Sequence, residues 1–125
     1  MLLDTCVVID VLRGRAEALA FVDRLADVPS VAAITATELI AGVRNVRERQ
    51  DIARLLDVYE VHDIGFEIAC LAGDYVRRYG PSHGVDPVDA LIAATAKAHE
   101  LELATLNLKH FPMFDGLKRP YRDTQ

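Results

Sequence analysis

Short apolar runs punctuate this chain at Met1–Leu3, at Val31–Ile34, around Val61 and at Leu101–Thr105, and the long stretches between them carry helical periodicity. Strands set so far apart cannot pair through tight hairpins. Each connection must instead cross over through a helix, and such crossovers are right-handed and give parallel strands. A parallel sheet needs cover on both faces. The expected fold is therefore a three-layer α/β/α domain with a central, mainly parallel sheet. At 125 residues the chain allows one domain, residues 1–125, and no second.

Start and stop residues divide the helical stretches. After Asp4 a mostly apolar segment runs to Leu12 and closes at Gly14. Ala18, Leu19, Phe21, Val22 and Leu25 form the next stripe, ended by Pro29. A third helix is expected to open at Thr35, with Leu39, Ile40 and Val43 on one face, and the polar segment Arg44 to Asp51 then leads into Ile52, Leu55 and Leu56. The clearest amphipathic period is Phe66, Ile68, Ala69, Ala72, Tyr75, Val76 and Tyr79, stopped by Gly80 and Pro81. An alanine-rich helix follows Asp86 and Pro87 and runs to His99, and a loop-rich tail with Phe111, Pro112, Phe114, Gly116 and Pro120 follows Thr105. There are no repeats and no low-complexity segment.

With a net charge of −5, the surface as a whole repels nucleic acid, so any such binding must rest on a local basic patch or on bound cations. Cys6 and Cys70 both fall in apolar helical patterns, which suits buried free thiols of a reducing compartment better than a disulfide framework or a metal site. The apolar N-terminus is broken by Asp4 and Asp10, has no basic leader and ends at Arg13, so it fits neither a signal peptide nor a membrane span. A soluble, cytoplasmic protein is expected.

Asp4, Glu38, Asp89 and Asn107 each stand where an apolar run gives way to a turn or a helix start. In α/β chains the mouths of parallel strands converge at one edge, so these residues can meet although distant in sequence. Taken singly, the acids have plainer readings. Thr35, Ala36, Thr37 and Glu38 match a capping box, and Asp86 before Pro87 reads as an N-cap, with Asp89 as a first-turn carboxylate. Asp4 is harder to explain that way, because Thr5 could do the capping. Gathering carboxylates without a cation is costly, since like charges a few ångströms apart resist ionisation. A divalent ion removes that cost, and Mg²⁺ or Mn²⁺ would keep open positions for a phosphate and water. The implied chemistry is phosphodiester hydrolysis.

Leu-Leu-Asp4-Thr5, Thr-Glu38-Leu-Ile-Ala-Gly-Val, Asp89-Ala-Leu-Ile-Ala-Ala-Thr-Ala and Leu-Ala-Thr105-Leu-Asn107-Leu-Lys-His-Phe111 resemble, in order and spacing over nearly the whole chain, the motifs of PIN-domain ribonucleases. The nearest resemblance is to the VapC-type toxins of toxin–antitoxin pairs. It implies an Mg²⁺-dependent endoribonuclease, with Mn²⁺ able to substitute, that inhibits translation and growth by cutting RNA. Asp4, Glu38 and Asp89 would form the catalytic, metal-binding acids, supported by Thr5 and Thr105. The implied mechanism is in-line attack by an Mg²⁺-activated water, leaving a 5′-phosphate and a 3′-hydroxyl. Glu38 would orient that water or help accept its proton. Asn107 departs from the aspartate many members carry, and its amide adds no charge, so a second metal would bind weakly. Asp86, on the same helical face as Asp89, could lend the missing charge. The resemblance also implies a homodimer and a cognate, VapB-like antitoxin whose C-terminal segment brings a basic side chain to the carboxylates.

For RNA contact, Arg13 and Lys109 are the better candidates among the cations, each lying shortly after a presumed site residue or its helix. Arg44, Arg47 and Arg49 read more simply as surface arginines paired with Glu48 and Asp51. His62, His83 and His99 lack ligand-like spacing and read as surface or hydrogen-bonded side chains. Two rival readings remain. One is an aspartate-based phosphotransfer domain, although the dehalogenase type would carry aspartate where Cys6 stands. The other is a PIN-like RNA-binding or interaction module without turnover.

Overall fold

The computed structural model of the chain describes residues 1–123. Its strands are β1 (Leu2–Leu3), β2 (Ser30–Ala32), β3 (Glu60–His62) and β4 (Leu103–Ala104). Its helices are α1 (Thr5–Leu12), α2 (Ala16–Asp23), α3 (Ala33–Ala41), α4 (Val46–Val58), α5 (Phe66–His83) and α6 (Pro87–Ala98), with a 3₁₀ turn at Leu108–His110. Every strand pair is parallel, in the order β3-β2-β1-β4. The sheet is thus wholly parallel where a mainly parallel one was expected.

Successive strand residues point to opposite faces, and the core divides accordingly. Leu2, Ala32 and Leu103 join Ile92, Ala93, Ala96 and Phe111 on one face. Leu3, Val31 and Ala104 join Val7, Val8, Leu39 and Ile52 on the other. Helix α6 therefore covers one side, backed by α5 through Ala72, Ala90 and Ala94, while α1, α3 and α4 cover the second. These are the three layers expected. Alanines at 90, 93, 94 and 96 are fully buried, and their small side chains let α6 lie close to both the sheet and α5.

Helix ends depart from expectation in three places. Helix α5 does not stop at Gly80 and Pro81 but runs to His83, closed by Gly84 at φ +66°, whose N–H donates to the Gly80 carbonyl. Proline also disfavours helical geometry in the residue before it, in part through that residue's Cβ, and Gly80 has none. Helix α4 begins at Val46, within the segment read as a polar lead-in, because the Asn45 side chain caps it by accepting from the Glu48 N–H at 2.9 Å. Helix α3 begins at Ala33, and so Thr35 lies inside it. On α5, Phe66 is 83% exposed while Leu71 packs inward, and the stripe is rotated accordingly. Cys70 sits on the solvent side. It is not the buried thiol expected.

Candidate active site

The end of β1 sets the position of Asp4. Its backbone N–H is still held by the sheet, donating to the Ala104 carbonyl at 2.9 Å, while its extended backbone makes it the N-cap of α1. Oδ1 accepts the Thr5 N–H at 2.8 Å. Asp4 itself does the capping that Thr5 could have done, and this frees the Thr5 hydroxyl for another partner. That hydroxyl donates to Oε1 of Glu38 at 2.6 Å. Asp4 and Glu38 are thereby joined through a single residue.

Glu38 is not part of a capping box. Helix α3 opens two residues before Thr35, with Ala32 at the cap and no side-chain cap bond. Fully buried, Thr35 places its hydroxyl 3.0 Å from that of Thr5. Thr5 gives its one proton to Glu38, so Thr35 donates to Thr5. Glu38 is left exposed at the mouth of the sheet, held through one oxygen.

The far side of Asp4 is held from β4. The hydroxyl of Thr105, fully buried just past the strand, donates to Oδ2 at 2.6 Å and accepts the Asn107 N–H at 3.0 Å. Cys6 adds a weak donor to the same oxygen, at 3.4 Å. Burial, and then the adjacent Asp4 charge, push the Cys6 thiol up to about 12, so it remains protonated and is a poor nucleophile. Asn107 is exposed, and its backbone, not its side chain, is tied to this network.

Asp89 comes from the first turn of α6. As expected, Asp86 is the N-cap, its Oδ1 accepting the Asp89 N–H at 2.9 Å, and Pro87 follows it at the first position. Burial raises the Asp89 carboxyl from 3.8 to about 6, with the charges of Asp86 and Asp4 adding to the rise and His110 opposing it. Asp4 and Asp89 therefore share one electrostatic environment. His110 lies with Nδ1 3.2 Å from Oδ2 of Asp89.

Asp4, Thr5, Glu38, Asp86, Asp89, Thr105 and the backbone of Asn107 are thus gathered at one edge of the sheet. Lys109 is exposed and makes no hydrogen bond or ion pair among the described residues. Arg13, also without an ion pair among them, lines a groove of about 370 Å³ together with Ile9, Leu12, Leu39, Val43 and Ile52, and Glu38 belongs to the same lining. Arg44 pairs with Glu48 at 2.8 Å and Arg54 with Asp51 at 2.9 Å. Arg44 is thus an ordinary paired arginine of the surface. Sequence reasoning overlooked the parts played by Thr35, Cys6 and His110. The one signal for His110 was its place in the Leu-Asn107-Leu-Lys-His-Phe111 segment, where a single turn could bring it back toward the acids.

With this geometry in view, the comparisons with known proteins are specific. The chain belongs to the PIN domain family, whose model matches residues 1–115. It is 43% identical over 124 residues to Ribonuclease VapC10 of Mycobacterium tuberculosis, covering 97% of this chain and 92% of that protein. It is 38% identical to Ribonuclease VapC19 of the same organism, over 96% of this chain and 98% of that one. A chain of a toxin–antitoxin complex from Klebsiella pneumoniae superposes with a TM-score of 0.84 at 29% identity, covering 98% of both chains.

Proposed function

We propose that this protein is a metal-dependent endoribonuclease acting as the toxin of a toxin–antitoxin pair. One observation carries the reading: Asp4 and Glu38 share Thr5, with Asp89 in the same electrostatic environment, in a chain similar throughout to named VapC ribonucleases.

The residues fit a divalent cation by their chemistry. All three acids offer hard oxygen donors, and the Asp89 carboxyl is raised first by burial and then by the neighbouring Asp86 and Asp4 charges, a cost that a bound cation would relieve. Among the described residues no three His, Cys, Asp or Glu side chains form a ready-made cage. Mg²⁺ does not need such a cage, because it dehydrates reluctantly and is bound through one or two carboxylates with several waters retained. Mn²⁺ should substitute. Asp4, Asp89 and Glu38 would hold the ion, directly or through water. Bound there, it would offset phosphate charge and make water more acidic.

The chain's own groups supply the rest. Thr5 and Thr105 keep Asp4 in one orientation. Glu38, with one oxygen held by Thr5 and the other free, orients the attacking water or accepts its proton, leaving a 5′-phosphate and a 3′-hydroxyl. Arg13, on the groove that reaches Glu38, and Lys109, beside Asn107, are the phosphate contacts that bring RNA to an acidic surface. A VapB-like antitoxin would bind the same region and answer the carboxylates with a basic side chain. The toxin would act as a homodimer in the cytoplasm. Among the described residues no helix is long and apolar enough to cross a membrane.

The test is digestion of total RNA by antitoxin-free protein with Mg²⁺ or Mn²⁺, beside a chelator control and Asp89→Ala, with the cut ends sequenced. Discrete, metal-dependent cuts lost in the variant are expected. Folded protein that cuts nothing with either metal would leave an RNA-binding module as the better reading.

A further inference from the structure

The turn that carries His110 is pegged at both ends. At its start, the Asn107 N–H is bonded to the Thr105 hydroxyl, which itself holds Asp4. At its end, Phe111 is 1% exposed and packs in the core beside Leu2 and Ile92. Between these pegs the chain makes one 3₁₀ turn, closed by the His110 N–H on the Asn107 carbonyl at 3.0 Å and the Phe111 N–H on the Leu108 carbonyl at 3.1 Å. The backbone of His110 is therefore held in a fixed place. Its ring meets Oδ2 of Asp89 through Nδ1 at 3.2 Å. Among the described residues no other side chain forms a hydrogen bond or ion pair with that carboxylate, and Asp86 bonds only the Asp89 backbone.

We propose that His110 is a positioning residue for Asp89: its Nδ1 lies 3.2 Å from Oδ2, and an N–H turned onto that oxygen would hold the carboxylate in one orientation toward the cation. The inference rests on the metal-site reading given above. It does not require a charged imidazole, because the neutral ring with its proton on Nδ1 is also a donor to a carboxylate. Donors of this kind fix the direction of a ligating carboxylate, and removing them commonly costs ten- to a hundredfold in metal affinity. Phosphate binding would use His110 differently, through whichever nitrogen faces solvent.

Asparagine and glutamine separate these roles, because the Asn amide reaches about as far as Nδ1 and the Gln amide about as far as Nε2. The experiment is Mn²⁺ binding to the full chain without RNA, by calorimetry or by the loss of the free-ion spin-resonance signal, with Asp89→Asn as baseline. His110→Ala should weaken binding about tenfold, and His110→Asn should restore it to within about twofold, whereas His110→Gln should not. In cleavage assays the Ala variant should need more metal for half-maximal rate but regain its turnover at saturating metal. Wild-type affinity in His110→Ala, with thermal unfolding showing a folded protein, would overturn the proposal. So would rescue by Gln and not Asn. Wild-type protein that takes up no Mn²⁺ would sink the metal-site reading and this proposal together, an outcome distinct from failure of the His110 variants alone.

Discussion

Thr105 donates its hydroxyl proton to Oδ2 of Asp4 across 101 positions of sequence, at 2.6 Å and out of contact with solvent. The Thr105 hydroxyl oxygen in turn accepts the Asn107 N–H, so one side chain orients an acid and starts the turn that follows. Thr105→Val keeps the shape and removes both bonds. It should cost about 1–3 kcal/mol, the range for stranding buried polar partners, and should lower cleavage more than the stability loss explains. Thr105→Ser should recover most of both. Urea unfolding and cleavage rates on the three proteins decide it, and a Val variant with undiminished cleavage would show that Asp4 needs no such support.

Asp89 works against the metal-free fold. Its folded-state pKa, about 6 against 3.8, means the native state holds this proton more tightly than the unfolded chain does. The stabilising contribution is full below 3.8, declines as pH rises to about 6, and is absent at neutral pH. Asp89→Asn should therefore raise metal-free stability at pH 7 by about 1–2 kcal/mol, somewhat less than the shift implies because the favourable electrostatic contact with His110 is lost. Added Mn²⁺ should raise the melting temperature of wild type and leave the variant unmoved. A variant less stable than wild type at pH 7 would refute the argument.

His62 carries a second pH dependence of opposite sign. Its ring stacks on that of His99 at 4.0 Å between centroids, and its Nε2 is buried with no hydrogen-bond partner among the described residues. Burial and the neighbouring His99 lower its pKa below 6.5, although Glu60 pulls the other way. The unfolded chain then takes up this proton first, and the fold loses stability as pH falls from 6.5 through the lowered native value. Relative to His62→Gln, wild type should lose ground across that window and hold level above it. Parallel stability curves from pH 5 to 8 would contradict the buried, neutral imidazole.

Tyr121 ties the C-terminal tail to α1. Its hydroxyl donates to Oδ2 of Asp10 at 2.6 Å, and Arg15 reaches both that carboxylate, at 3.2 Å, and the Arg122 carbonyl, at 2.8 Å. Burial, and then the bond to Asp10, raise the phenol's pKa, so the hydroxyl stays a donor throughout the working range. Tyr121→Phe should cost about 1 kcal/mol, since Arg15 continues to satisfy Asp10. Faster amide exchange in the tail should accompany the loss, and unchanged exchange would place the strap's strength in Arg15 alone.

The layers, the parallel sheet and the placing of the three acids at one sheet edge were legible in sequence because they depend on periods and on strand-end positions, both of which are local patterns. What escaped was decided between elements. Asp4 caps α1 because its N–H remains bonded to β4, and no local pattern around Asp4 and Thr5 reports a strand a hundred residues away. The match of Thr35 and Glu38 to a capping box was a coincidence of spacing. The helix had already started at Ala33, where packing against the sheet outweighs the lack of a capping side chain. Pro81 was tolerated because its neighbour is glycine, and Cys70 lay just off the stripe that tertiary contacts selected. His110 depends on two pegs, and only one of them, Phe111, looked like an anchor in the sequence.

The strand order has a consequence for the timing of activity. Strand β1 is the first to leave the ribosome, yet it lies between β2 and β4, and β4 is the last strand made. Asp4 thus waits for Ala104 and Thr105, at synthesis rates of about 5–20 residues per second roughly five to twenty seconds later. Until then its carboxylate lacks half of its support, and His110 has not been made at all. On the proposed mechanism, a nascent or prematurely terminated chain that lacks β4 would have no assembled site with which to cut RNA.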